Sequence, residues 1–249
     1  MVTIKTPEEI KLMKKSGEIT RDFLKLIEDN IKEGVSTYDL DKLAYDYIIK
    51  CGAKPNFKGC GGFPASICTS IDDVVVHGIP SKHEILKEGQ IISVDAGCVL
   101  NGWHSDAART FAVGKISKEK QQLIDVTKES FFRGVNQFKV GNRLGDISHA
   151  VQEYAESFNY GVIRDLCGHG IGRELHEDPN VLNYGRAGHG LRLTVGMVLA
   201  IEPMISMGTW RVYQDADDGW TIRTDDGSPC GHYENTCALT ENGIEILTL

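Results

Sequence analysis

Apolar residues recur at near-helical spacing over residues 7 to 31, where Ile10, Met13, Ile19, Phe23, Leu26 and Ile27 form one face. Thr6-Pro7-Glu8-Glu9 reads as the start of that helix: a cap, then proline and acids in the first turn. A second helix is expected from Thr37 to about Lys50, with Leu40, Leu43, Ala44, Tyr47 and Ile48 on its apolar side and Gly52 closing it. The pair then recurs at 118 to 138 and 145 to 158. Short runs of strand character fill the rest of the first half: Ser66 to Thr69, Val74 to His77, Gln90 to Asp95 and Trp103 to Phe111. In the second half they are Val162 to Leu166, Met197 to Glu202, Thr209 to Tyr213, Gly219 to Thr224 and His232 to Thr240. The pattern predicts an α+β fold with antiparallel hairpins.

The recurrence extends to individual residues at an offset of 107. Lys32, Gly34, Asp39 and Leu40 match Lys139, Gly141, Asp146 and Ile147, and Leu86, Gly89, Ile91, Ile92, Val94 and Asp95 match Leu193, Gly196, Val198, Leu199, Ile201 and Glu202. Such a period is too long for a solenoid unit and fits two half-domains pressed together about a pseudo-twofold axis. One domain over residues 1–249 is expected, with repeats of about 7–113 and 118–245. Both copies end an apolar strand in a carboxylate, and a buried, unpaired carboxylate costs several kcal/mol or more. Two of them at equivalent points call for a shared cation.

Asn101-Gly102 is a strong hairpin signal, and it sets a register in which Leu100 pairs with Trp103 and Asp95 lies opposite Ala108. Asp106 then sits on the same face as a diagonal neighbour of Asp95, about 7 to 8 Å away at the backbone. By themselves the two aspartates fit either a metal site or a strand cap with a solvated neighbour. Glu202, and Glu234 within Tyr233-Glu234-Asn235-Thr236-Cys237-Ala238-Leu239, supply two more acids, while Arg109 is the only basic residue among these strands. The turn Gly168-His169-Gly170-Ile171-Gly172 offers an accessible imidazole. Four carboxylates and one imidazole suit manganese, ferrous iron or cobalt better than a thiolate zinc site does. Two such ions about 3.5 to 4 Å apart would share a water and generate a hydroxide nucleophile, which predicts metal-assisted hydrolysis.

Composition narrows the alternatives. A net charge of -8 with scattered basic residues disfavours nucleic-acid binding. No signal core or membrane-length apolar run is present, and seven cysteines without a Cys-x-x-Cys pair read as free thiols, so a cytoplasmic protein is expected.

Several motifs resemble those of type I methionine aminopeptidases of the bacterial, extension-free kind, across essentially the whole chain. They are Val76-His77-Gly78-Ile79-Pro80, Asp95-x-Gly97 through Gly102-x-His104-x-Asp106 to Arg109-Thr110-Phe111, Cys167-Gly168-His169-Gly170-Ile171-Gly172, Ile201-Glu202-Pro203 and Tyr233-Glu234-Asn235-Thr236. The resemblance implies the pita-bread fold, and makes Asp95 a bidentate ligand of one metal, Asp106 and Glu234 bridging ligands, and His169 and Glu202 ligands of the other. It further implies that His77 holds the substrate backbone, that His176 stabilises the oxyanion and that Glu202 shuttles a proton to the leaving amine. On sequence alone, His77 fits a loop closure and His176 a surface turn. The methionine pocket is expected from Phe57, Cys60, Phe63, Cys68, His77 and Trp220, since a thioether favours aromatic and sulfur contacts worth about 0.3 to 1.5 kcal/mol each. Ordinary core packing is the competing reading for these aromatics. Cys60 stands where many relatives carry tyrosine and Gly61-Gly62 where they carry bulkier residues, which predicts a more open wall and a broader preference.

The implied substrate is the N-terminal methionine of nascent polypeptides with a small second residue, and the resemblance implies a monomer acting near the ribosome exit region, although no motif specifies ribosome binding. Proline-directed relatives usually carry an additional N-terminal domain, whereas here the first helix begins almost at Met1. Type II enzymes usually carry an insertion between the motifs of His169 and Glu202, where only 32 residues intervene here. A non-catalytic module on the same fold would have broken ligands, and all five are intact.

Overall fold

A computed structural model describes all residues, 1–249. Two helices, α1 (Pro7–Glu28) and α2 (Thr37–Lys50), precede β1 (Lys54–Pro55), β2 (Ile67–Ile71), β3 (Val74–Val76) and the long hairpin of β4 (Ile91–Leu100) and β5 (Trp103–Ala112). Next come α3 (Lys118–Val135), α4 (Leu144–Glu156), β6 (Gly161–Val162), β7 (Gly168–Gly170), β8 (Glu177–Val181) and β9 (Val198–Ile201). The chain ends in β10 (Met204–Ser206), β11 (Val212–Gln214), β12 (Ile222–Thr224), β13 (Cys230–His232), β14 (Asn235–Thr240) and β15 (Gly243–Ile246). No helix is long and apolar enough to cross a membrane, and all seven cysteines are unpaired.

The start of α1 is a capping box: Thr6 Oγ1 accepts from Glu9 N, Glu9 Oε2 accepts from Thr6 N at 2.9 Å, and Pro7 follows the cap. Both α2 and α4, and likewise β4 and β9, begin 107 positions apart. The residue matches at that offset acquire separate causes. Asp39 and Asp146 each accept the backbone N–H of the residue capping their helix, Ser36 and Arg143. Gly34 and Gly141 have φ of 87° and 92°, and Gly89 and Gly196 both have 89°, left-handed values that an L side chain resists.

One core packs Phe23, Ile27, Leu40 and Ile48 against Ile92, Val94 and Ala96; its counterpart packs Phe131, Phe138 and Ile147 against Leu199, Ile201 and Cys237. Between them lies a third cluster that includes Met13, Ile171, Val198 and Ala238. The first half's sheet runs β1-β4-β2 with β5 on β4, and the second half's runs β15-β14-β9-β7-β8. They meet where Ala108 of β5 and Glu234 exchange backbone hydrogen bonds of 3.3 and 2.9 Å.

That seam explains one departure from the sequence pattern. The apolar stretch from His232 to Thr240 breaks at Tyr233-Glu234, because Glu234 turns its backbone to β5 while β13 pairs with β10 and β14 with β9. A second departure is β7: the glycine-rich stretch around His169 is a central strand between β8 and β9, and His169 is buried at 7% exposure. Its close pairing replaces the accessible turn expected from three glycines. A Cβ on Gly168 or Gly170 would lie 2.3 Å from Ala200 O or 2.1 Å from Asp178 O, so these glycines serve strand packing.

Candidate metal centre

The β4–β5 hairpin turns at Asn101 and Gly102, with φ of 52° and 76°, and its register places Asp95 opposite Ala108 and Asp106 opposite Gly97. Asp106 is 3% exposed, and its backbone N–H donates to Thr236 Oγ1 at 2.9 Å across the seam. Glu234, 1% exposed, arrives beside it from the break between β13 and β14. Glu202 directly follows β9 and precedes Pro203, whose missing N–H ends the ladder there.

One ligand atom each from Asp106, His169 and Glu234 lie within 4.8 Å of one another. His169 Nε2 is 3.8 Å from Asp106 Oδ2 and 3.7 Å from Glu202 Oε1. Its Nδ1 lies 2.8 Å from Gly170 O, so that carbonyl accepts the Nδ1 proton and leaves the Nε2 lone pair facing the acids. Burial, with His176 nearby, lowers His169 to about 4 and keeps it neutral.

The acids are held in a state that water would not tolerate. Burial pushes Glu202 up to about 8 and Asp95 up to about 6. It raises Asp106 and Glu234 well above the carboxylate range, helped by the crowding of the acids on one another. Asp95 Oδ1, Asp106 Oδ1 and Glu234 Oε1 are buried without a hydrogen-bond partner. Arg109 does not relieve them: it donates to Ala108 O, Glu234 O, Asn235 Oδ1 and Thr248 O, which secures the seam. Orphaned carboxylate oxygens around a neutral imidazole fit divalent cations of the oxygen- and nitrogen-preferring kind.

A cavity of about 570 Å³ opens from this cluster, and every residue expected at the site lines it: Phe57, Cys60, Phe63, Cys68, His77, Asp95, Asp106, His169, His176, Glu202, Trp220 and Glu234. Phe63 packs edge-on against Trp220 at 5.2 Å, and His77 against the same indole at 6.3 Å. These aromatics therefore face the cavity as well as the core. His77 has a left-handed φ of 60°, and burial, His232 and His176 lower its pKa. His176, which as a sequence fits a surface turn, opens on the cavity with its ring 4.5 Å from that of His169. Cys60, Gly61 and Gly62 form a single 3-10 turn, and a Cβ on Gly61 would lie 3.3 Å from Trp220 Cη2.

Sequence reading missed His232, 1% exposed, with Nε2 3.6 Å from Glu202 Oε2 and neither ring nitrogen hydrogen-bonded. Its position two residues before Glu234 was the available signal. Asp165 and Asn180 also line the cavity without having been singled out.

Residues 11–241 match metallopeptidase family M24. The chain belongs to that family. It is therefore a metal-dependent hydrolase. The methionine aminopeptidase of Clostridium acetobutylicum is 60% identical over 249 residues, covering 100% of this chain and 99% of that protein. The crystal structure of methionine aminopeptidase from Rickettsia prowazekii superposes with a TM-score of 0.98 at 41% identity, covering all of both chains. The prolidase of Pyrococcus furiosus gives a TM-score of 0.77 at 26% identity, and the match covers 99% of this chain but 65% of that one. The family's pita-bread fold is thus the fold of this chain.

Proposed function

We propose that this chain is a type I methionine aminopeptidase that removes the N-terminal methionine from nascent proteins and peptides with a small second residue. The observation that carries this reading is the shared cavity, in which four crowded acids and a neutral imidazole face a wall of Phe57, Phe63, Cys68 and Trp220. Residues 1–249 form one catalytic domain, working in the cytoplasm as a monomer near the ribosome exit.

Asp95, Asp106, His169, Glu202 and Glu234 would hold two divalent ions, with Asp106 and Glu234 shared between them. Manganese, iron and cobalt all suit the donor set. Bound there, such ions would supply Lewis-acid polarisation of the carbonyl and would lower the proton affinity of a nearby water. The protein's own groups do the rest. Neutral His77 and His176 offer N–H donors beside the cluster, His77 to the substrate backbone and His176 to the carbonyl oxygen as negative charge develops on it. Glu202 would take a proton from the attacking water and deliver it to the departing amine. Phe63, Trp220 and Cys68 bury the thioether, and the glycines beside Cys60 leave that wall short of side-chain bulk, which supports a broader preference at the first residue.

The test uses metal-stripped protein with Met-Ala-Ser and Ala-Pro-Ser peptides, alone or with manganese or cobalt, following the released amino acid. Methionine release only with metal is expected. Alanine release ahead of proline would move the assignment to the prolidase-like relatives, and no cleavage under any condition would favour a binding module.

A further inference from the structure

The turn that carries His176 is tied to the beginning of the chain through a buried ion pair. Lys5 Nζ lies 2.6 Å from Glu177 Oε2, with the two side chains only 4% and 9% exposed. The Glu177 carboxylate accepts from four donors: Lys5 Nζ and Thr3 Oγ1 on Oε2, and the backbone N–H groups of Arg173 at 2.8 Å and Glu174 at 3.3 Å on Oε1. The backbone pair closes the turn from within, while Lys5 and Thr3 fasten it from outside. Lys5 is itself fixed, its N–H donating to Gly196 O at 2.7 Å.

No slack separates this pair from the turn. A Cβ on Gly172 would fall 2.5 Å from Lys5 Cε and 2.7 Å from Glu177 Oε1, and Gly172 O accepts from His104 N at 2.9 Å, joining the turn to β5. His176 stands between Leu175, buried in the central core cluster, and Glu177. Its imidazole is placed by those two anchors, one apolar and one ionic. We propose that Lys5 is a positioning residue, which through its buried pair with Glu177 holds the 172–177 turn so that the His176 imidazole faces the reacting carbonyl. The kinetic part of this inference rests on the methionine aminopeptidase reading.

The test is a mutant cycle in metal-loaded protein, joining Lys5→Met to His176→Ala and following methionine release from Met-Ala-Ser. Displacing a group by about 1 Å can cost up to about 100-fold, so Lys5→Met is expected to lower kcat by about 10- to 100-fold with KM within about twofold. In the His176→Ala background the same change should cost less than about twofold, because the group it positions is gone. Equal losses in both backgrounds, or an unchanged kcat, would overturn the proposal. Should Lys5→Met not fold, Glu177→Gln takes its place: it keeps the acceptor for the turn's N–H groups, weakens the tie to Lys5 and should give the same pattern.

A second readout does not depend on catalysis. In metal-free protein labelled with ¹⁵N-histidine, Lys5→Met should displace the His176 ring resonances, identified by their loss in His176→Ala, and leave those of exposed His83 and His149 in place. Unmoved His176 resonances would overturn the proposal even if wild-type protein released no methionine, a result that would separately refute the reaction reading.

Discussion

Asp106 concentrates the site's conflict in one side chain: it is almost fully buried, its Oδ1 has no partner, and burial with Asp95 and Glu202 nearby opposes its ionisation. Replacing it with asparagine keeps the shape and removes the ionisable group. Metal-free Asp106→Asn should therefore be at least as resistant to unfolding as the wild type, since an amide has no ionisation for the buried site to oppose. Its metal affinity should fall at least about 100-fold, the upper range for losing an outer-sphere partner, and methionine release should disappear with it. Metal analysis after dialysis, beside the peptide assay, checks both; full activity would sink its assignment as a shared ligand. His232 poses a related question from the other side of Glu202. A fully buried imidazole with two unpartnered nitrogens costs about 1–3 kcal/mol per unsatisfied group, which sets it apart from a packing residue.

Elements decide where these side chains can go, and β7 is the most demanding of them. Gly170 faces the backbone of β8 so closely that an added methyl would meet Asp178 O at 2.1 Å. Gly170→Ala should therefore cost at least the roughly 1–3 kcal/mol typical of overpacking, because backbone rather than a flexible side chain must yield. It should also weaken metal binding by shifting His169, and urea unfolding followed by metal titration would show the two effects together. Nothing in the sequence announced this strand. Its three residues include two glycines and no apolar alternation, so its extended form comes from partners distant in the chain, β8 and β9. The β4–β5 hairpin is the opposite case, because Asn101-Gly102 specifies both turn and register locally and Asp95 does lie opposite Ala108. The 107-residue repeat was legible for the same reason, its capping acids and left-handed glycines being local requirements met twice. The acids' assembly required the seam between β5 and Glu234, which no single stretch of sequence describes.

At the scale of the whole molecule, the halves are joined across a cluster of acids, so metal, protons and folding are linked. Glu202 rises from 4.5 to about 8 on folding and Asp95 from 3.8 to about 6, while Asp106 and Glu234 move in the same direction. Between the unfolded and folded values the folded chain holds more protons than the unfolded one, so stability of the metal-free protein falls as pH rises from about 4 to about 6 through Asp95 and from about 4.5 to about 8 through Glu202, with Asp106 and Glu234 acting in the same sense. His169 acts in the opposite sense. Lowered from 6.5 to about 4, it binds more protons when unfolded and makes stability rise with pH between those values. His77, His104, His176 and His232 are lowered by burial as well and act with His169, so below pH 6.5 acids and imidazoles oppose one another, whereas above it the acids alone contribute. Urea midpoints of metal-free protein should therefore decline from pH 6.5 to pH 8, and Glu202→Gln should flatten that decline. Divalent metal binds the deprotonated carboxylates and neutral imidazole, so saturating manganese should raise the midpoint more at pH 8 than at pH 5. A metal-free protein whose stability climbed from pH 6.5 to pH 8 would mean that the acids ionise freely, and the physical case for a cation between the two halves would fail.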